Sequence, residues 1–261
     1  MTDERAFLTL THLADQTRHA EYNEWHQLDH LPENMLLKGV AWGNRWVRTP
    51  ECIGVSYAPD ETLATSQYAV MYAFRSPANR SVQEWTDLNQ RAIWWGRRPE
   101  LEWTLRNPLG FFETVKAYAA PRVLVSPDAV PHRPHRGIHL TVSRIAEPES
   151  PASVQLMRDY DLEFIPYLLE VDGVAGVQTY RFGGGAAAFG GSSSEGADES
   201  GLLVRLAFLD GDPIATTESI YEQQPLWIRG SEGADAAEQV LLSAPFESIS
   251  PWQWDWFDDA R

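Results

Sequence analysis

Residues 31–41, LPENMLLKGVA, recur as residues 165–175, IPYLLEVDGVA, with the proline and the closing Gly-Val-Ala in the same places. The echo extends both ways. Upstream, Leu10-Thr11-His12-Leu13-Ala14-Asp15 returns as Val142-Ser143-Arg144-Ile145-Ala146-Glu147, a register two residues shorter. Downstream, Trp46 matches Tyr180 and Ala73-Phe74 matches Ala207-Phe208, so the offset set at Leu31 reads as unbroken to Phe74. A chain that repeats itself over this length reads as a tandem duplication.

Each half follows one order of elements. In the first, residues 6–13 alternate as a strand, 21–36 carry helical periodicity up to Gly39, and 40–48 and 67–75 read as strands around a loop with Pro50, Gly54 and Pro59. Residues 81–97 predict a second helix, opened by the capping-box pair Ser81 and Glu84, and 110–118 a fourth strand. The order β-α-β-β-α-β is ferredoxin-like. Residues 119–135, with four prolines, read as a linker, which gives a first unit over 1–118 and a second over 136–261. The predicted class is α+β, two tandem ferredoxin-like units.

In the second unit the loop 183–200, GGGAAAFGGSSSEGADES, reads as a solvated linker or as a lid over a site. Trp252, Trp254 and Trp256 alternate as on a strand, and so many apolar rings predict a tail docked on its own barrel or on a second copy in a homodimer.

A formal net charge of -16 argues against nucleic acid and anionic membrane surfaces as partners. The single cysteine, Cys52, excludes an internal disulfide, and without an apolar run of about 20 residues or a leader pattern the expectation is a soluble, cytoplasmic protein. The eleven tryptophans suit core, interface or the wall of a pocket for a flat apolar ligand.

The segment Trp25-His26 to His30-Leu31-Pro32-Glu33, followed by an apolar stretch and a Gly-Val strand, resembles the dimeric α/β-barrel superfamily, its EthD-like members especially. The resemblance implies that the two units set their sheets together as a barrel within one chain. Trp25, His30, Pro32 and Glu33 occur only in the first unit. The superfamily spans cofactor-independent monooxygenases, polyketide cyclases, muconolactone isomerases, dehydratases and haem proteins related to chlorite dismutase, so fold alone leaves the chemistry open.

The repeat supplies an internal contrast. At the fixed offset His26 faces Tyr160, His30 faces Phe164, Glu33 faces Tyr167 and Tyr72 faces Leu206. The second unit's stripe is apolar and points toward the sheet, so Tyr22, His26, His30 and Glu33 are predicted to point inward and line a cavity. His30 is the expected acid/base, with Asp29 or Glu33 orienting an imidazole or raising its pKa, and Tyr72 or His26 is expected to stabilise an oxyanion. Tyr22, Trp25, Trp42, Trp46, Trp85 and His12 are expected to enclose a small hydrophobic substrate, aromatic or polyketide-like. The expected activity is that of a cofactor-independent lyase, isomerase, dehydratase or cyclase, with a cofactor-independent monooxygenase or a haem or apolar-ligand carrier as alternatives.

The His26-x3-His30 spacing also admits a divalent metal, with His12 or Glu33 as third ligand, or haem on His26 or His30. The absence of HExxH and CxxCH points instead to no cofactor. Arg97 and Arg98 read as an exposed helix end or as a clamp for a substrate carboxylate, His132, His135 and His139 as structural or solvated, and Cys52 as unreactive.

Overall fold

The computed structural model describes residues 5–99, 102–185, 201–223 and 237–258. Strand β1 (Arg5–Leu13) leads into α1 (His19–Trp25), a π-helical turn (His26–His30) and α2 (Leu31–Met35), which run on as one helix. Then come β2 (Val40–Val47), the short helices α3 (Pro50–Gly54) and α4 (Glu61–Ala64), β3 (Tyr68–Phe74), α5 (Ala78–Trp94) and β4 (Thr104–Ala119). The second half repeats the order: β5 (Gly137–Ile145), α6 (Pro151–Asp159), a π-helical turn (Tyr160–Phe164), α7 (Ile165–Glu170), β6 (Val174–Gly185), β7 (Leu202–Leu209), α8 (Pro213–Gln223) and β8 (Glu238–Ser248).

All eight strands close into one barrel in the order β1-β3-β2-β8-β5-β7-β6-β4. Every neighbouring pair is antiparallel. The units meet at two seams of different strength. β4 and β6 pair from Gly110–Gly185 to Ala119–Gly176, whereas β2 and β8 pair only at Trp46–Ser248 and Val47–Glu247.

Side-chain alternation sorts every strand into two layers. Ala6, Leu8, Leu10, Ala69, Met71 and Ala73 point into the barrel and share one core with Leu140, Val142, Leu206, Phe208 and Phe246 of the second unit. On the outer face Phe7, Val70, Tyr72, Phe74 and Phe111 lie with Trp85 of α5 in a separate layer beneath the helices. Among the described residues no helix is long and apolar enough to cross a membrane.

The strand ladders correct the repeat register. Leu8 pairs with Met71 as Leu140 pairs with Leu206, and Val40 pairs with Phe74 as Val174 pairs with Leu209. The second unit therefore gains one residue before its third strand, and the true counterpart of Tyr72 is Ala207, not Leu206. A slip of one residue exchanges the two faces. Phe74 lies in the layer under the helices, whereas Phe208 lies in the barrel.

Two local expectations also change. Ser81 does not cap α5, which begins three residues earlier after Pro77; its hydroxyl donates to the Arg75 carbonyl at 2.9 Å. The Trp-rich tail forms no strand. Trp252 is 73% exposed, and docking falls to Phe257, which is buried and stacks on His19 at 4.3 Å, with Trp256 packed beside it. Most of the loop 183–200 lies outside the described residues.

Phe257→Ala is expected to lower the unfolding free energy by about 3 kcal/mol, the usual cost of emptying a buried phenyl site. Trp252→Ala is expected to stay within about 0.5 kcal/mol. Urea denaturation of both variants checks this, and equal losses would show that the tail docks through another face.

Candidate active site

Between the outer face of the first unit's sheet and its helices lies a cavity of about 40 Å³, lined by Phe7, Thr9, Tyr22, Trp25, His26, His30, Tyr72, Trp85, Asn89, Arg98, Thr104 and Arg106, among others. Space of this size holds two or three water molecules.

The helical wall owes its geometry to the π-helical turn. The Leu31 N–H donates to the His26 carbonyl, one residue beyond the α-helical partner, and Pro32 starts the next α turn. His26 and His30 consequently face one another edge to face with ring centroids 5.0 Å apart. His30 is stacked on Trp25 at 4.8 Å and meets the Tyr72 ring edge-on at 6.3 Å. His26 is buried, and neither ring nitrogen has a hydrogen-bond partner among the described residues. His30 is half-buried at the rim. The second unit has a π-helical turn at the matching place, with Tyr160 and Phe164 where the first has His26 and His30.

Behind this wall a hydrogen-bond chain fixes Arg45. The Tyr68 hydroxyl contacts His19 Nδ1 at 2.7 Å and the Asn23 amide at 2.9 Å, and Arg45 Nη2 donates to Asn23 Oδ1 at 2.9 Å. The Arg45 guanidinium lies over the Tyr22 ring, 5.1 Å from its centroid. Tyr72 has room only because β2 carries a glycine behind it: a Cβ on Gly43 would sit 2.5 Å from Tyr72 Cδ1. Its hydroxyl is buried beside Asn34, and burial raises its pKa, which keeps it a protonated donor.

The arginines set the electrostatics. Helix α5 ends in a Schellman turn, with Gly96 in the left-handed region, Arg97 N–H donating to the Ala92 carbonyl at 3.0 Å and Gly96 N–H to the Ile93 carbonyl at 3.0 Å. The turn separates two adjacent arginines. Arg97 goes outward, to Asp29 at 2.9 Å and Glu33 at 2.6 Å, while Arg98 goes into the cavity wall. Arg98 is held down to about 10 by burial and by the neighbouring Arg106 charge. His30 is pushed down to about 3, first by burial and then by Arg98, Arg45 and Arg106, and His26 is lowered by burial and Arg45.

This corrects the expected charge pattern. Asp29 and Glu33 are engaged by Arg97 at the exposed side, Glu33 does not line the cavity, and the field on the imidazoles is cationic. His26, His30, Tyr72, Tyr22, Trp25 and Trp85 meet around one space; Trp42, Trp46 and His12 do not join them. Trp42 and Trp46 lie on the barrel side of β2, Trp42 edge-on to Phe208 at 6.2 Å and Trp46 donating to His135 at 3.1 Å. His12 sits on the barrel side of β1, its Nδ1 3.0 Å from the Thr65 carbonyl. The sequence reading missed Arg45, Arg106, Thr9, Thr104 and Asn89. The alternation of Arg45 against Trp42 and Trp46 was the one available signal, since it puts the arginine on the helix side.

His139 is structural, buried between Thr217 at 2.9 Å and Ser243 at 3.0 Å. Burial pushes Cys52 up to about 11, so its thiol is protonated at neutral pH. A metal ion does not suit the histidine pair, because the nearest charges are guanidinium groups and, among the described residues, no cluster of three or more His, Cys, Asp or Glu side chains forms.

No protein-family model matches the chain, and no curated protein matches it in sequence. Solved structures do match in shape. A candidate monooxygenase from Fusobacterium nucleatum subsp. nucleatum aligns over 96% of this chain and 94% of its own, with a TM-score of 0.52 at 8% identity. An anthrone oxidase-like protein aligns over 95% and 92%, with a TM-score of 0.48 at 10% identity. A chlorite dismutase from Candidatus Nitrospira defluvii aligns over 100% and 96%, with a TM-score of 0.46 at 9% identity. The Fusobacterium likeness is one of fold, and the strand order above makes that fold a mixed α/β structure with an eight-stranded antiparallel barrel closed within a single chain.

Folded His30 stays neutral down to about pH 3, whereas an unfolded histidine protonates near 6.5. The unfolded state therefore binds more protons in that window, and stability present above pH 6.5 is lost as pH falls through it. His30→Phe, which installs the second unit's residue, is expected to flatten this slope. Urea titrations at about pH 7 and about pH 4.5 measure it, and an unchanged slope would show that His30 is not the group responsible.

Proposed function

We propose that the chain is a small-molecule enzyme that takes a proton from a hydrophobic, ring-bearing substrate, with His30 as the base. The observation that carries this reading is a neutral, half-buried imidazole facing a cationic cavity. A base held down to about 3 is weak, so the proton leaves the substrate only if the remaining electron pair is stabilised. Arg45, Arg98 and Arg106 supply that stabilisation as a fixed positive field in a nearly dry space, and the Tyr72 hydroxyl, kept protonated by burial, is positioned to donate to the developing oxyanion. Phe7, Trp25 and Trp85 form the apolar wall for the ring. Because the space as it stands holds two or three water molecules, this reading requires the stacked His30–Trp25 rim to move outward to admit a ring.

The imidazolium formed on His30 is a strong acid in the same field. It favours a reaction that gives the proton back, as an isomerase, dehydratase or cyclase does: C–H breaks, the pair rests on the carbonyl oxygen as an enolate, and the proton returns at another atom. An oxygenase reading begins with the same step and is supported by the name of the Fusobacterium structure. In that case molecular oxygen takes up the electrons, a CH₂ becomes C=O, and water leaves. The Trp25–Glu33 segment supports an EthD-like kinship, and the repeated element order supports descent from a duplicated unit.

Enolisable aromatic ketones, lactones and polyketide intermediates are the compounds to screen. His30→Ala is expected to lower turnover by roughly 10²- to 10⁴-fold, and Tyr72→Phe by less. Isotopically labelled oxygen in the product marks the oxygenase branch. Turnover unchanged in His30→Ala would overturn the assignment.

A further inference from the structure

The second unit has a matching but much differently filled space between sheet and helices, lined by His139, Thr141, Tyr160, Phe164, Arg205 and Ser243, among others. Its buried arginine is neutralised from within. Arg205 Nη2 lies 2.7 Å from Glu238 Oε1, the guanidinium stacks over Tyr160 at 4.1 Å, and the Tyr160 hydroxyl donates to the same carboxylate. Glu238 is held below the usual carboxylate range by Arg205 despite its burial.

The ladders identify the equivalent positions in the first unit. Thr104 pairs with Leu13 at the end of β1, as Glu238 pairs with Ile145 at the end of β5. Arg106 pairs with Thr11, as Val240 pairs with Ser143. The first unit thus places a threonine where the second has its carboxylate, and an arginine where the second has a valine. Its charge ledger is open: Arg98 and Arg106 line the cavity, the Arg106 Nε is buried without a partner, and among the described residues no carboxylate pairs with either. Among the described residues, the ion pairs nearby belong to Arg97, on the outer side of the turn. His26, 5% exposed with both ring nitrogens unpartnered, faces the same space.

Two guanidinium groups facing one cavity repel each other, and removing them from water without a counter-charge is costly. An entering carboxylate removes both costs, offering planar oxygens that match the guanidinium donors. A neutral ligand removes neither.

We propose that the first unit's cavity takes a substrate bearing a carboxylate, held by Arg98 and Arg106 beside Thr104, the position at which the second unit carries Glu238. This rests on the enzyme reading above and adds a consequence to it. The bound negative charge offsets the Arg98 and Arg106 part of the field, so His30 gains basicity when the substrate is seated, while Arg45 and the Tyr72 hydroxyl remain to stabilise the oxyanion. The chain's overall charge of -16 then makes the cavity a local exception to a surface that repels anions.

Calorimetric titration of the full chain with acetate and benzoate, against acetamide and benzamide, tests the proposal. Both carboxylates are expected to bind and both amides to fail. Arg106→Gln is expected to weaken binding by about ten- to a hundredfold, the range for a lost charge-assisted contact. Thr104→Glu, which supplies the second unit's carboxylate internally, is expected to weaken it more than Thr104→Gln, whose side chain has the same size as glutamate without the charge. Folding of each variant is checked by its circular dichroism. In the wild type, benzoate is expected to raise the His30 pKa followed by NMR. Amides that bind as well as the acids, carboxylates that do not bind, or a Thr104→Glu chain that binds benzoate like the wild type would each overturn the proposal. His30→Ala separates it from the acid/base reading: benzoate binding survives in that variant whether or not turnover does.

Discussion

Closure of the eight strands into one ring is the constraint on which everything else depends. A closed antiparallel sheet has two faces, and strand alternation commits each side chain to one of them. The inner face is filled by aliphatic and aromatic side chains from both units, Leu8, Leu10 and Met71 against Leu140, Leu206 and Phe246. It leaves polar chemistry to the outer face, under the helices, where each unit works alone. Trp42 and Trp46 are excluded from the site by parity alone, and Arg45, one step from Trp46, is admitted by it.

The two outer spaces share a scaffold and differ in charge. Both have a π-helical turn followed by a proline, and both have a buried arginine close to aromatic rings. The second closes its network through Glu238, Tyr160 and Ser143. Such closure neutralises the Arg205 charge from within, although its Nη1 stays buried without a partner among the described residues. The first keeps arginines, two neutral imidazoles and a phenol facing a small cavity, an arrangement that costs stability and is characteristic of sites organised for a ligand.

Much of this was legible in the residues. The repeat of LPENMLLKGVA as IPYLLEVDGVA located both helix-to-strand junctions, and the polar-for-apolar exchange of His26 and His30 against Tyr160 and Phe164 survived into the fold. The third strand did not align correctly. Ala73-Phe74 and Ala207-Phe208 look alike, but hydrogen-bond register, which no local similarity encodes, shifts them by one. Arg106 was hidden because β4 starts at Thr104, well before the apolar run that marks its middle. Arg97 and Arg98 were read together, as a helix end or a carboxylate clamp, and the sequence could not separate them: after the left-handed glycine adjacent residues diverge, Arg97 outward to Asp29 and Arg98 into the cavity wall.

The π-helical turn sharpens what the histidine spacing means. In an α-helix, residues four apart are neighbours along a stripe; with the wider turn the two rings close to 5.0 Å, while the hydrogen-bond ladder shifts by one residue. Its presence in the second unit shows that the turn itself is architectural, a way of seating a proline-started helix against the sheet. The chemistry enters with the side chains placed on it. Tyrosine and phenylalanine at those positions make a packed wall against Arg205, whereas two histidines, held neutral by burial and by three guanidinium groups, make a titratable wall, the feature on which the proposed proton transfer rests.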